Sequence, residues 1–196
     1  MAGETRSRMV DAAVVSLQRD GLAGMSFTDV LAASGAARGA IYHHFPGGKN
    51  ELAAEATRRN GDQVRAALAA LPDGSPSDVV DAFLVAIRPV LAVSAAGGGC
   101  AVAAVTVGVS GTNHELLDIA HDTFDTWESV LADRLNTAGL GRSDAQDLAT
   151  TLLALLEGAH VLCRAAGSLE PLDRVVRSAA RLGSGLGGAR PHGEGV

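Results

Sequence analysis

Residues 26–52 read SFTDVLAASGAARGAIYHHFPGGKNEL. This run holds the chain's only tyrosine (Tyr42), its only lysine (Lys49), two of its six histidines (His43, His44) and two of its four phenylalanines (Phe27, Phe45). Ser26 followed three residues later by Asp29 is a capping box, in which the hydroxyl takes the Asp29 amide while the carboxylate reaches back. The helix it starts is short, because Ser34-Gly35 follows within two turns and glycine suits the left-handed conformation that closes a helix. A second short helix is expected from about Ala37 to His44, with Ile41 and Phe45 spaced by four on its inner face. Pro46-Gly47-Gly48 stops it, and a longer helix starts near Lys49.

Upstream, Val10, Ala13, Val14 and Leu17 fall at i, i+3, i+4 and i+7, an amphipathic helix ending near Asp20-Gly21. Two short helices joined by a glycine turn and braced by a first helix make a helix-turn-helix. Its expected core is Val10, Ala13, Leu17, Phe27, Val30, Leu31, Ile41 and Phe45. Arg38, Ala40, Tyr42, His43 and Lys49 have no core to fill. Such a face fits a DNA groove: Gly39 and Ala40 permit close approach, Arg38 can read guanine, and Tyr42, His43 and Lys49 can hold phosphates. The same spacing also fits a solvated surface helix.

The segments Ser26-Phe27-Thr28-Asp29-Val30, Ser34 through Phe45, and Lys49-x-Glu51-Leu52 resemble the N-terminal domain of TetR/AcrR-type transcriptional repressors, over residues 5–55. The extra residue in Phe45-Pro46-Gly47-Gly48-Lys49 and the later Gly99-Cys100 segment resemble the LmrA/YxaF-like branch. The resemblance implies a homodimer that holds a palindromic operator through Thr28, Arg38, Gly39, Ala40, Tyr42, His43 and Lys49. It also implies release when a small molecule enters the C-terminal domain. One departure matters: the family usually has Ser or Thr before the recognition helix, and this chain has Ala37. A hydroxyl cap and a phosphate contact are therefore missing, which shifts weight to Arg38, Tyr42 and Lys49.

Composition agrees with an all-α chain. At 196 residues it can bury a real core, 47% of its residues are hydrophobic, and aromatic β-branched runs are scarce. Two cysteines are too few for a disulfide framework and suit a reducing cytoplasm. Glu4 and Asp11 stand where a signal peptide would need an apolar core, so export is not expected. Pro89–Val109 carries no charge and approaches a spanning length, yet three successive glycines (97–99) divide it, so it reads as a buried helical hairpin. Residues 1–65 hold eight Arg/Lys against seven Asp/Glu, and the remainder holds eight against fifteen. An acidic protein with a near-neutral, arginine-bearing first third can meet an anionic polymer through that third alone.

Beyond Leu52, helices are expected at 48–70, 76–94, 99–109, 114–138, 144–166 and 171–183. The domain reading is 1–48 for DNA binding, 49–183 for ligand binding and dimerisation, and 184–196 as a flexible Gly-rich tail. In the fifth of these helices Leu148, Leu152, Leu155, Ala159 and Leu162 form one stripe, and Leu153 and Leu156 lie outside it. A helix wet on one face needs no second apolar face, so a partner subunit is expected there, with Leu172, Val175, Val176 and Ala179 completing a four-helix contact.

The effector cavity is expected among Phe83, Ile87, Arg88, Cys100, Ala104, His121, Phe124, Trp127, Leu131, Leu156, Glu157 and His160. Phe124 and Trp127 suit a flat ligand or serve as plain core. Arg88, before Pro89 at an expected kink, anchors a ligand anion or pairs with an acid. Cys100 at a helix start is either a thiol sensitised by amide dipoles or an inert buried one. Glu157-x-x-His160 and Asp118-x-x-His121 have the spacing of dinuclear metal sites in bundles, but further carboxylates are lacking, so no metal or cofactor is assigned. An enzyme or metal-binding bundle built on those four residues is the alternative function. Nothing in the chain supplies a nucleophile–base–orienter set, a phosphate-binding loop or a nucleotide fingerprint.

Overall fold

The computed structural model describes residues 2–109 and 113–186, and the secondary structure there is helical throughout. Three helices form the N-terminal unit: α1 (Ala2–Gly24), α2 (Phe27–Ser34) and α3 (Ala40–His44). α4 (Gly48–Ala69) leads out of that unit. The remaining helices are α5 (Pro76–Ala95), α6 (Ala101–Gly108), α7 (His114–Thr137), α8 (Arg142–Ala166) and α9 (Glu170–Leu186). Residues 184–186, expected in the tail, belong to α9; residues 187–196 lie outside the described residues.

Local chemistry sets these boundaries. α1 breaks at Gly21 (φ 70°, ψ 177°), where a left-handed backbone favours glycine, and one further turn reaches Gly24. The Ser26 hydroxyl accepts the Asp29 N–H at 3.1 Å and donates to Asp29 Oδ2 at 2.6 Å. The carboxylate thus meets the hydroxyl, where a capping box would bring it to the Ser26 amide. Gly35 (φ 65°) ends α2 by returning its N–H to the Leu31 carbonyl. α3 starts at Ala40, later than the spacing suggests, because Ala37–Ala40 closes as a turn with Ala40 N–H on the Ala37 carbonyl at 2.9 Å. Ala37 has no side-chain oxygen to cap an earlier start.

The N-terminal core is close to expectation. Val10, Ala13, Leu17, Val30, Ile41 and Phe45 are buried, and Phe27 and Leu31 are partly buried against them. Arg6 lies over the Phe45 ring, 4.9 Å from its centroid, and pairs with Glu55 of α4. Arg59 of α4 reaches back to Asp11 at 2.6 Å. Such half-exposed pairs contribute little by themselves, so the seam between α1 and α4 rests on buried Met9, Ala13, Leu52, Ala53 and Ala56.

α4 continues into the second part, where α7 is its main neighbour. At their crossing a Cβ on Gly61 would sit 2.7 Å from Thr123 Cγ2, so glycine lets the two backbones come close. α5 begins with a complete capping box, Ser75 with Asp78, and Pro76 at its first position. It runs on through Pro89 to Ala95, and Gly97 (φ 100°) turns the chain into α6. The uncharged window is therefore two helices joined by a glycine turn. α8 is long and apolar enough to cross a membrane by length and composition, but here it packs between α5, α7 and α9.

Candidate functional site

The first candidate site is the outer face of the helix-turn-helix. Thr28 is exposed at the start of α2, Arg38 and Gly39 are exposed in the turn before α3, and His43 is exposed on α3. Tyr42 is 69% exposed, so its hydroxyl is free to meet solvent or a partner. Its ring stands edge-on to Phe27 with centroids 5.9 Å apart, which fixes the phenol direction. Phe27, Thr28, Arg38 and Tyr42 border one open hollow. Ala40 is half-buried. Arg6, Arg19 and Arg59 are each held by a carboxylate, whereas Arg38 stands out in the turn.

Lys49 is placed differently from expectation. It is half-buried, and its Nζ donates to the Ala23 carbonyl at 3.1 Å. It closes the end of α1, where a cation is favoured by the unpaired carbonyls. An ammonium has three donors, so two are left for a phosphate.

The second candidate site is interior. A cavity of about 100 Å³ lies between α4, α5, α7 and α8 and takes in Gln18 of α1. Of the residues expected there, Phe83, Ile87, Cys100, Trp127, Leu156, Glu157 and His160 line it. Trp127 is buried, donates Nε1–H to the Gly61 carbonyl at 2.9 Å, and stacks edge-on with Phe124 at 5.3 Å. Phe124 supports the indole from behind, and Leu131 is fully buried core. Asn60 and Gln18, which sequence reasoning missed, add amides to the wall. Their only signal was a polar residue interrupting an apolar helix face.

Three further expected members, Ala104, Arg88 and His121, fall elsewhere; Ala104 borders a groove between the end of α1, α6 and α8. Arg88 is exposed and bonds Asp173 of α9 at 2.7 Å, so it anchors no ligand anion inside. A buried guanidinium would need its own carboxylate, and the available one lies on the outer surface. His121 is exposed on α7, as is Asp118. Among the described residues no three His, Cys, Asp or Glu side chains gather closely enough to hold a metal ion.

The polar wall of the cavity has unusual acid–base character. Burial pushes the Glu157 carboxyl up from 4.5 to about 6, and a hydrogen bond with Cys100 offsets part of this. Burial pushes His160 down from 6.5 to about 4, so it is neutral at physiological pH, with Nδ1 2.6 Å from Ser94 Oγ. The Cys100 thiol is pushed up, first by burial and then by the Glu157 charge. Its Sγ accepts the Ala103 N–H at 3.5 Å, but the helix start does not overcome burial. Of the two readings of Cys100, this environment favours the inert thiol over the sensitised one.

A further group escaped the sequence reading. Arg164, in the last turn of α8, donates to the carbonyls of Arg19 (2.8 Å), Gly98 (3.3 Å) and Gln18 (3.4 Å). It ties the cavity helix to the end of α1 and to the turn before α6. In the sequence it is an ordinary basic residue at a helix end.

The expected partner-facing stripe is split. Leu152, Ala159 and Leu172 are covered by the chain's own helices, while Leu148, Leu155, Val175 and Val176 are half-buried and Leu162 is 54% exposed. Helical spacing identifies an apolar face but not which neighbour covers it. Leu152, Ala159 and Leu172 are thus withdrawn from the partner contact; the side chain of Ala179 lies outside the described residues.

Comparison with known proteins places both sites in one framework. Residues 9–56 match the model for bacterial regulatory proteins of the tetR family, and residues 76–178 match that for the C-terminal domain of LmrA/YxaF-like transcriptional regulators. The chain is similar to the HTH-type transcriptional regulator Rv0196 of Mycobacterium tuberculosis, 33% identical over 182 residues, covering 90% of this chain and 93% of the relative. It is also similar to the HTH-type transcriptional regulator LmrA of Bacillus subtilis, 28% identical over 172 residues, covering 87% and 92%. A TetR transcriptional regulator from Chloroflexus aurantiacus shares the fold with a TM-score of 0.75, 26% identity and coverage of 92% and 94%. This chain belongs to the TetR family of bacterial transcriptional regulators, in its LmrA/YxaF-like branch.

Proposed function

We propose that the protein is a cytoplasmic, ligand-controlled repressor, in which a homodimer holds a palindromic operator and releases it when a small, mainly apolar effector enters the interior cavity. Arg38 reads a base edge, Gly39 and Ala40 let the backbone approach, and Thr28, Tyr42, His43 and Lys49 position the phosphates. Leu148, Leu155, Leu162, Val175 and Val176 on α8 and α9 are the surface offered to the second subunit.

One observation carries the reading: Trp127, in the cavity wall, is hydrogen-bonded to the backbone of α4 at Gly61. α4 is the helix that also holds α1 through Glu55 and Arg59. An effector pressing on Trp127 moves the α4 backbone, and α4 carries the DNA-binding unit with it. The two recognition helices must stay about 34–36 Å apart, one DNA turn, so a small pivot weakens binding. Release then follows because the effector binds the pivoted arrangement better.

The test is a gel-shift titration with DNA from upstream of the chain's own gene, repeated with candidate effectors. A complex that shifts as a dimer and dissolves with effector is expected. Trp127→Phe keeps a ring but removes the indole N–H, so it should require more effector for the same release. An unchanged effector requirement would break the Trp127–α4 link, and failure to shift any palindromic fragment would break the repressor reading.

A further inference from the structure

Two hollows meet at one carboxylate. The inner cavity, about 100 Å³, is smaller than the roughly 300 Å³ at which small-molecule sites begin. An outer groove of about 370 Å³ lies between the end of α1, residues 98–108 and α8. Both are lined by Gln18, Gly99, Cys100, Glu157 and His160, so these residues form the shared wall. A ligand using groove and cavity together has ample room and must pass Glu157.

Glu157 Oε1 is buried and has no hydrogen-bond partner. No arginine or lysine lines the inner cavity, and Arg88 is engaged outside by Asp173. The groups around the carboxylate are the Cys100 thiol and the His160 imidazole, with Asp20 and Arg164 at the edge of the outer groove. Arg164 is spent on backbone carbonyls of the α1 end and the glycine turn. In the inner cavity, which no arginine or lysine lines, a ligand anion would be repelled by the Glu157 charge, and a neutral apolar ligand would leave the acceptor unpaired. An ammonium N–H would satisfy both the lone pair and the charge.

We propose that the effector is an organic cation, a protonated amine on an apolar body, whose N–H donates to the Glu157 carboxylate at the junction of groove and cavity. This rests on the interior cavity being the effector site. Phe83 and Trp127 receive the apolar body in the inner part.

Three probes share one body and differ in head group: 4-phenylbutylamine, 4-phenylbutanol and 4-phenylbutyrate. Binding to the full chain at pH 7.5 is read by Trp127 fluorescence and by the shift in thermal unfolding. The amine should bind at least about tenfold tighter than the alcohol, with the carboxylate weakest. Glu157→Gln, of the same shape, should bind amine and alcohol alike. Wild-type protein at pH 5 gives the same comparison without mutation, since Glu157 is then mostly protonated while neither His160 nor Cys100 changes charge. Equal binding of amine and alcohol by the wild type at pH 7.5 would overturn the cation proposal and leave the cavity standing. No fluorescence or thermal response to any of the three would overturn both.

Discussion

The helix-turn-helix places its chemistry on the surface, and the α7–α8 pair places its chemistry in the interior. α2 and α3 are short, α2 is held by its Ser26 and Gly35 caps, and α3 with the turn before it sends Arg38, Tyr42 and His43 into solvent. α7 and α8 are three times longer or more, and their informative side chains, Trp127, Glu157 and His160, point inward. A face that must meet a large polymer has to be exposed and rigid, so a few packed residues behind it suffice. A pocket that must hold a small molecule has to exclude water, so its polar groups carry desolvation costs. The difference teaches that stability and function are separable in the first region and entangled in the second.

That contrast can be broken in order of effect size. Phe45→Ala removes a fully buried ring behind the exposed face and should cost about 3–5 kcal/mol of stability, with operator binding lost alongside it. Thermal unfolding checks this, and a near-neutral result would show that α3 needs no packing behind it.

The interior makes the opposite prediction. Glu157 has its folded pKa raised from 4.5 to about 6, so the stability it contributes is present below pH 4.5 and lost as pH rises through 6. At pH 7.5 the buried charge therefore costs up to about 2 kcal/mol, and Glu157→Gln should be more stable than wild type by that order. His160 acts in reverse: its pKa is lowered from 6.5 to about 4, so its contribution is present above pH 6.5 and lost as pH falls through 4. Denaturant unfolding at pH 4, 5.5 and 7.5 separates the two, and a Glu157→Gln protein that is less stable at pH 7.5 would mean the carboxylate is already paired.

The smallest effect is at Lys49, where one donor is occupied by Ala23. Lys49→Ala should weaken binding to all DNA sequences alike and lower the salt slope by roughly one. A sequence-dependent loss would instead make Lys49 a base reader.

The N-terminal unit was legible because its signals are local. Ser26, Gly35 and Phe45 lie within twenty residues of one another and dictate cap, turn and core without reference to the rest of the chain. The start of α3 was misplaced because Ala37 is a helix former whose missing hydroxyl leaves the turn uncapped. In the cavity, Phe83, Cys100, Trp127, Glu157 and His160 were legible as polar or aromatic interruptions of apolar helices. For Arg88 the pairing with an acid was one of two readings, and the choice was not legible because its carboxylate stands 85 residues away on α9, where no spacing predicts it. Leu152 and Leu162 share one stripe but differ in burial, which helical spacing cannot tell apart.

The central claim is that the exposed face of α3 and of the turn before it grips DNA, with Arg38 serving recognition and not the fold. The direct measurement is operator affinity of Arg38→Ala by fluorescence anisotropy, beside its thermal unfolding. Affinity should fall by about 1–3 kcal/mol, with discrimination relaxed at one base position per half-site and the unfolding temperature unmoved. Wild-type affinity and base preference in the Arg38→Ala protein would contradict the placement of the recognition face.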